Sequence, residues 1–314
     1  MWQELGETEE QRVRTLVELL VTSKTGKLLL EKARNRAASQ GKILFDVIIP
    51  GEISITDTTL VRRFSPERPE AMAFELHSKI YINKDLKVRD AILDLAHELV
   101  HYIYKTPFNP YQDEFKADEF VTSTLEGRGG EIDAFLAECQ VEKELFPTRN
   151  RDGSNCKLVF DEEGQVSRHL AVKEFYKVGP FLSQMQKDLQ KFLIDSTKFG
   201  YLKEEQATFI SSAYGLPYPL AALREYEVIM TKVCENDYKR LSFMKQSIGE
   251  GLGRQLASSL EEDHVTDQMA SGVRPSEQPE GNTKKMGHRA QEFDRMAQSF
   301  NRRCQYFSAR SGRK

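Results

Sequence analysis

Long apolar runs are missing from this 314-residue chain. No stretch approaches the roughly 18 consecutive apolar residues that a membrane-spanning helix needs, which argues against a transmembrane segment. The opening residues, MWQELGETEEQ, carry neither a basic region nor an apolar core, so they do not read as an export signal. A cytoplasmic chain is the expectation, although an exported protein trimmed of its leader would read the same. Cysteine is sparse: Cys139, Cys156, Cys234 and Cys304 stand far apart and form no C-x-x-C pair. That spacing excludes a zinc ribbon, a dithiol redox motif and the dense framework of a small secreted domain. Free buried thiols are expected, with one or two bridges as the alternative. An excess of one charge is also absent, since the formal net charge is −3. The whole molecule therefore makes no strong case for nucleic-acid binding, but the balance is uneven. From Lys284 to Lys314 there are nine Lys/Arg against Glu292 and Asp294, and the rest of the chain is correspondingly acidic.

Histidine is scarce too, with six in all, yet two of them fall in one pentad. Residues 97 to 101 read His-Glu-Leu-Val-His within AILDLAHELVHYIY. A helix turns about 100° per residue, so His97 and His101 sit one above the other on one face, where their ring nitrogens can share a metal. Glu98 lies one position round and can reach a water on that metal. Two imidazoles with an intervening carboxylate form the zinc-hydrolase pattern. The surroundings predict a helix from Leu86 to Tyr104, because Ile92, Leu95, Ala96, Leu99 and Ile103 recur at helical spacing. Asp85 is placed to cap its start and Thr106-Pro107 to end it.

Catalytic zinc keeps three protein ligands and an open position, so a third ligand must lie downstream. A metzincin would need a third histidine six residues after His101; Pro107 stands there, and the next histidine is His169. A carboxylate is the remaining common solution. Glu131 supplies one, just inside a helix opened by Gly129-Gly130, with Ala134, Phe135 and Glu138 on its face. Glu114 is the main competitor. Glu138 lies two turns on, roughly 10 Å along the axis, and so is expected either to support the site from behind or to substitute for Glu131.

HELVH followed by Glu131 in an E-x-x-A-F helix resembles the gluzincin branch of zinc metallopeptidases, including compact bacterial forms of ImmA/IrrE type. The resemblance covers about residues 40 to 146. It implies one Zn²⁺ on His97, His101 and Glu131, Glu98 as general base, and a protein or peptide as substrate of an endopeptidase. It also implies that the strand preceding the active helix is the edge along which substrate lies extended. An oxyanion donor is expected in addition, with Tyr104 first and Tyr111 and Tyr81 behind it. One departure stands out: thermolysin-like members have an acidic residue four after the glutamate ligand, where this chain has Phe135. A zincin-like module that senses or binds a partner, with regulated or no peptidase activity, is the alternative reading.

The expected fold is α+β in three blocks. Residues 1–150 form the zincin-like domain. Within it, helical periodicity runs over 8–38, strands over 42–51 and 54–64, and two short strands over 71–83, giving a small mixed sheet. Residues 151–250 form a helical subdomain, joined to the first by a polar loop (147–164) and containing a kinked connection at 211–223. Residues 251–314, poor in large apolar side chains, form a disordered tail in which a short helix over 287–307 is allowed. Its basic end, 284–314, is expected at most to bind nucleic acid or an anionic partner weakly.

Overall fold

The computed structural model describes residues 1–58, 60–76, 78–112, 115–147, 154–265, 280–304 and 307, with backbone alone for 250–265 and 280–289. The protein is α+β, as its pattern predicts, and divides into two compact units: 1–60, 76–109 and 114–227, and 61–75, 110–113 and 228–314. The boundaries differ from three consecutive blocks. The helical region up to Glu227 belongs with the HELVH helix, while a hairpin near residue 70 belongs with the C-terminal helices.

The first unit opens with α1 (Glu9–Val21) and α2 (Lys24–Ser39). The periodicity over 8–38 resolves into two helices because capping residues interrupt it. Thr8 and Gln11 form a reciprocal capping box at α1, and Ser23 accepts the Gly26 N–H at 3.0 Å to start α2. A sheet follows, with strands β1 (Ile48–Gly51) and β2 (Ile55–Asp57) on either side of β5 (Lys79–Asn83), in the order β1-β5-β2. β5 runs parallel to β1, pairing Ile48 with Ile80, and antiparallel to β2, pairing Thr56 with Ile80. β1 is shorter than the apolar run suggests because residues Leu44–Asp46 close a 3-10 turn. Its Pro50, which has no N–H to donate, is tolerated in an outer strand. The strand preceding the HELVH helix is thus central, not an edge as the resemblance implies, with β1 and β2 as the outer strands of this sheet.

Helix α3 (Val88–Tyr104) is the hub of this unit, packed against α1, α2, α5 and the sheet. Its Ala91, Ile92, Leu95, Ala96 and Leu99 are buried in one core with Leu16, Leu20, Leu30, Ile48, Ile80, Ile82, Ala134 and Val141. The helix begins at Lys87 without a side-chain cap. Asp85 does not cap it, for it sits in the preceding turn, where its N–H donates to Asn83 Oδ1 at 2.9 Å. After α4 (Ala117–Glu126) comes α5 (Glu131–Leu145), then α6 (Arg168–Phe175) and α7 (Leu182–Lys191). The stretch 211–223 is a two-stranded turn, β6 (Ile210–Ser211) with β7 (Leu216–Pro217), running into α8 (Tyr218–Val265). Phe135 of α5 packs edge-on against Phe175 and Phe209, so an aromatic at this position serves the core.

All four cysteines are paired, contrary to the free thiols expected. Cys139 of α5 bonds Cys156, and Cys234 of α8 bonds Cys304. Wide sequence spacing does not exclude pairing when helices bring distant positions together; the second bridge closes a separation of 70 residues.

The second unit contains the hairpin of β3 (Leu60–Ser65) and β4 (Arg68–Leu76), the later part of α8, and α9 (Glu280–Cys304). A disordered tail is therefore overturned for 251–265 and 280–304, which are helical, and α9 is longer than the short helix allowed; 266–279 and 308–314 lie outside the described residues. The signal was present in outline: Phe293, Met296, Phe300 and Cys304 fall on one helical stripe, with Met296 and Cys304 buried. Buried Asp237 accepts from Arg62 and, at 2.7 Å, from Arg303, while Arg240 Nε donates to the Pro69 carbonyl at 2.6 Å. Arg303, one of the basic charges of the tail, is thus engaged within the fold. Among the described residues no helix is long and apolar enough to cross a membrane.

Glu144 ties α5 to the start of α2. Its carboxylate accepts the Ser23 hydroxyl at 2.6 Å, the Thr25 N–H at 2.8 Å and the Thr25 hydroxyl at 2.7 Å. Partial burial alone would raise its pKa, but these donors, with Gln140, hold it down at about 2. A depressed carboxylate stabilises the fold above its unfolded value of 4.5, and that contribution fades as pH falls from there through about 2. Glu144→Gln should cost about 1 kcal/mol at pH 7, after discounting for solvent screening, and nearly nothing at pH 2. Urea unfolding at both pH values reads this directly, and an equal cost at both would refute it.

Candidate metal centre

The site is built from the facing surfaces of α3 and α5. One turn of α3 presents His97 and His101 with their ring centroids 4.9 Å apart. The first residue of α5 presents Glu131. His97 Nε2 lies 3.4 Å from Glu131 Oε2, and His101 Nε2 lies 3.5 Å from Glu131 Oε1. The three ligand atoms lie within 4.8 Å of one another. Small, fully buried Ala134 sits one turn behind Glu131.

Each imidazole is oriented through its other nitrogen. His97 Nδ1 meets Glu138 Oε2 at 3.1 Å, and His101 Nδ1 meets the Gly129 carbonyl at 2.8 Å. Both partners accept hydrogen bonds, so both Nδ1 atoms carry protons and both Nε2 atoms face Glu131. This is the support that metal-binding histidines require. Glu138 therefore holds His97 from behind, through a carboxylate seven residues after Glu131. Glu114 lies outside the described residues. Glu138→Gln should weaken zinc affinity by about 10- to 100-fold, read by competition with a chromogenic chelator; an unchanged affinity would remove Glu138 from the site.

Electrostatically the cluster is a knot of carboxylates around two histidines. Burial would lower the His97 pKa, but the nearby carboxylates of Glu131, Glu138 and Glu98 raise it well above the ordinary histidine value. Burial would likewise raise that of Glu131, while His101 and His97 hold it well below the carboxylate range. Asp94, one turn before His97, is pushed up to about 6 by burial, with Glu138 and Glu98 adding to the shift and a hydrogen bond to Ser54 opposing it. Side-chain exposure is 15% for His97 and Glu131 and 6% for His101, so the cluster is enclosed but not sealed.

Glu98 is buried beside this cluster. The Thr56 hydroxyl of β2 donates to its Oε2 at 2.7 Å and lies 2.9 Å from its backbone oxygen. Sequence reasoning missed Thr56, because nothing local marks one threonine in a short strand.

The expected oxyanion donors fare differently. Tyr104 accepts a hydrogen bond from Lys32 Nζ of α2 at 2.6 Å, and its ring lies under Lys32 and Arg128. Tyr111 belongs to the second unit, stacked under Arg62. Tyr81 lies on β5, opposite Ile55 of β2 and Ile49 of β1. The phenol that feels the cluster is Tyr218, in the first turn of α8. Its pKa is raised well above the usual value, first by burial and then by Glu131, Glu138, Glu98 and Asp94. Seven residues on, on the same helical face, Glu225 is raised by burial and by Glu131. The sequence pattern around Tyr218, with its two prolines, reads only as a connection.

The donor set passes a test of fit for zinc. A charge-assisted hydrogen bond between imidazolium and carboxylate closes to about 2.7–2.9 Å. Ligands placed tetrahedrally about 2.0–2.1 Å from one zinc stand about 3.4 Å apart. The separations of 3.4 and 3.5 Å, each to a different oxygen of Glu131, are longer than the first spacing, and one atom from each residue lies within 4.8 Å of the others, a cluster that could hold an ion. Comparison of the chain with protein-family models, with curated proteins and with solved structures returned no match.

Proposed function

We propose that this protein is a zinc-dependent endopeptidase acting on protein or peptide substrates, with His97, His101 and Glu131 as metal ligands and Glu98 as general base. The observation that carries the reading is the constellation itself. Two Nε2 atoms converge on one carboxylate at metal-ligand spacing, with both Nδ1 atoms satisfied from behind and a buried glutamate alongside. A purely structural zinc site normally closes with four ligands and needs no such base.

When bound, zinc supplies Lewis acidity, which acidifies water and polarises a carbonyl. Glu98 takes the proton of the attacking water on Oε1, the oxygen left by the hydrogen bond from Thr56 to Oε2, and returns it to the leaving amine. Tyr218, a phenol in the first turn of α8 that feels the charges of Glu131, Glu138 and Glu98, is the candidate hydrogen-bond donor to the oxyanion. β2, at the outside of the sheet and joined to Glu98 through Thr56, is where an extended polypeptide would add as a further strand. Two disulfides favour an oxidising compartment over the cytoplasm.

The experiment is elemental analysis of the purified protein beside His97→Ala and Glu131→Ala. About one zinc per chain in the wild type, lost in both variants, is expected. No metal uptake by the wild type on adding zinc would overturn the proposal.

A further inference from the structure

Resting on the peptidase reading, we propose that Thr56 is the positioning residue of the general base: its hydroxyl fixes the Glu98 carboxylate so that one oxygen is held and the other is free for the proton. β2 is paired to β5 with Thr56 directly opposite Ile80. Directly opposed residues of an antiparallel pair project to the same face, and Ile80 is fully buried in the core that includes α3. The sheet therefore aims Thr56 at α3, where its hydroxyl reaches Glu98.

The contact does what the helix cannot do alone. Glu98 sits one residue from His97, and its side chain has several rotatable bonds. One turn either side of Glu98 on α3 stand Asp94, Leu95, His101 and Tyr102, and among the described residues no hydrogen bond reaches its carboxylate from that helix. Thr56 supplies the restraint across 42 residues of sequence, at 2.7 Å to Oε2. A β-branched residue suits the task, because its χ1 is stiff in a strand and the hydroxyl is presented in a fixed direction. The hydroxyl also lies 2.9 Å from the Glu98 backbone oxygen, which registers β2 against this turn of α3. The Thr56 hydroxyl is not among the atoms that converge on the metal site; it acts through Glu98, and its loss should lower turnover rather than binding.

Thr56→Val keeps the shape and removes the donor, Thr56→Ala removes both, and Thr56→Ser keeps the donor. In the full-length, zinc-loaded protein, assayed with an unstructured polypeptide, the Val and Ala variants should lose about 10- to 100-fold in kcat with unchanged KM and zinc content. The Ser variant should regain most of that loss. Crystal structures of the metal-free wild type and Thr56→Ala give a second readout independent of activity: the Glu98 carboxylate should adopt one orientation in the former and several in the latter. Wild-type kcat in both Val and Ala variants, a loss that Ser does not restore, or a Glu98 carboxylate unmoved in the Ala crystal would each overturn the inference. A wild type that hydrolyses no polypeptide would instead overturn the peptidase reading on which it rests, and the crystallographic comparison would still decide whether Thr56 orients Glu98.

Discussion

Glu98→Gln should lower kcat for peptide hydrolysis by about a thousandfold while leaving zinc content and melting temperature as in the wild type. The substitution is nearly isosteric, and the amide oxygen of glutamine can still accept the Thr56 hydroxyl, so the buried position keeps its partner. What it loses is the ability to hold a proton between attack and departure of the amine. The three ligands are untouched, because Glu98 is not among the atoms that converge on the site. The measurement is steady-state kinetics of both proteins on one substrate, with zinc determined on the same samples. A Gln variant that retained more than about a tenth of wild-type turnover with its zinc in place would assign the base to another group.

The site was largely legible before the fold because most of it is written in one helix and the start of another. A separation of four residues puts His97 and His101 on one face in any α-helix, and the small Ala134 signals close approach of a second helix bearing Glu131. These are local regularities, and they survive folding unchanged. What lay hidden is non-local. Thr56 reaches Glu98 because β2 pairs with β5 rather than extending into β3, a break that the uninterrupted β-rich run SITDTTLVRRF conceals. Tyr218 comes within electrostatic reach of the carboxylates because the turn formed by β6 and β7 leads into α8 there, and its prolines announce a turn without saying where it leads. The cysteine pairs were misread for the same reason, since spacing carries no connectivity. The helix in the tail is hidden by composition, since Phe293, Met296 and Phe300 make a helical stripe inside a stretch otherwise rich in charge. Even the central position of β5 is a matter of topology, decided by β1 and β2 arriving from earlier in the chain on either side.

Gly129→Ala should destabilise the protein by about 3 kcal/mol and weaken zinc binding at least about tenfold. Gly129 has φ +74°, a conformation that strains any side chain, and an added Cβ would stand 2.7 Å from the Lys105 nitrogen and 2.7 Å from the Tyr104 Cβ. Tyr104 ends α3 and Lys105 caps it, with the Lys105 N–H held by the His101 carbonyl, so neither backbone position yields freely. The residue cannot shift freely either. Its carbonyl accepts from His101 Nδ1, and its N–H donates to Asp133 Oδ2 at 3.0 Å, so moving it turns His101 away from Glu131. Gly164 provides the control: its φ is +69°, yet nothing lies within 4 Å of where a Cβ would be. Gly164→Ala should therefore show the backbone strain alone, about 1 kcal/mol, with zinc affinity unchanged. Urea unfolding of the two variants, with zinc titration of each, separates strain from collision. Equal costs at the two glycines would mean that α3 and the turn before α5 are not held as closely as the geometry requires, and the fixed orientation of His101 would fall with that result.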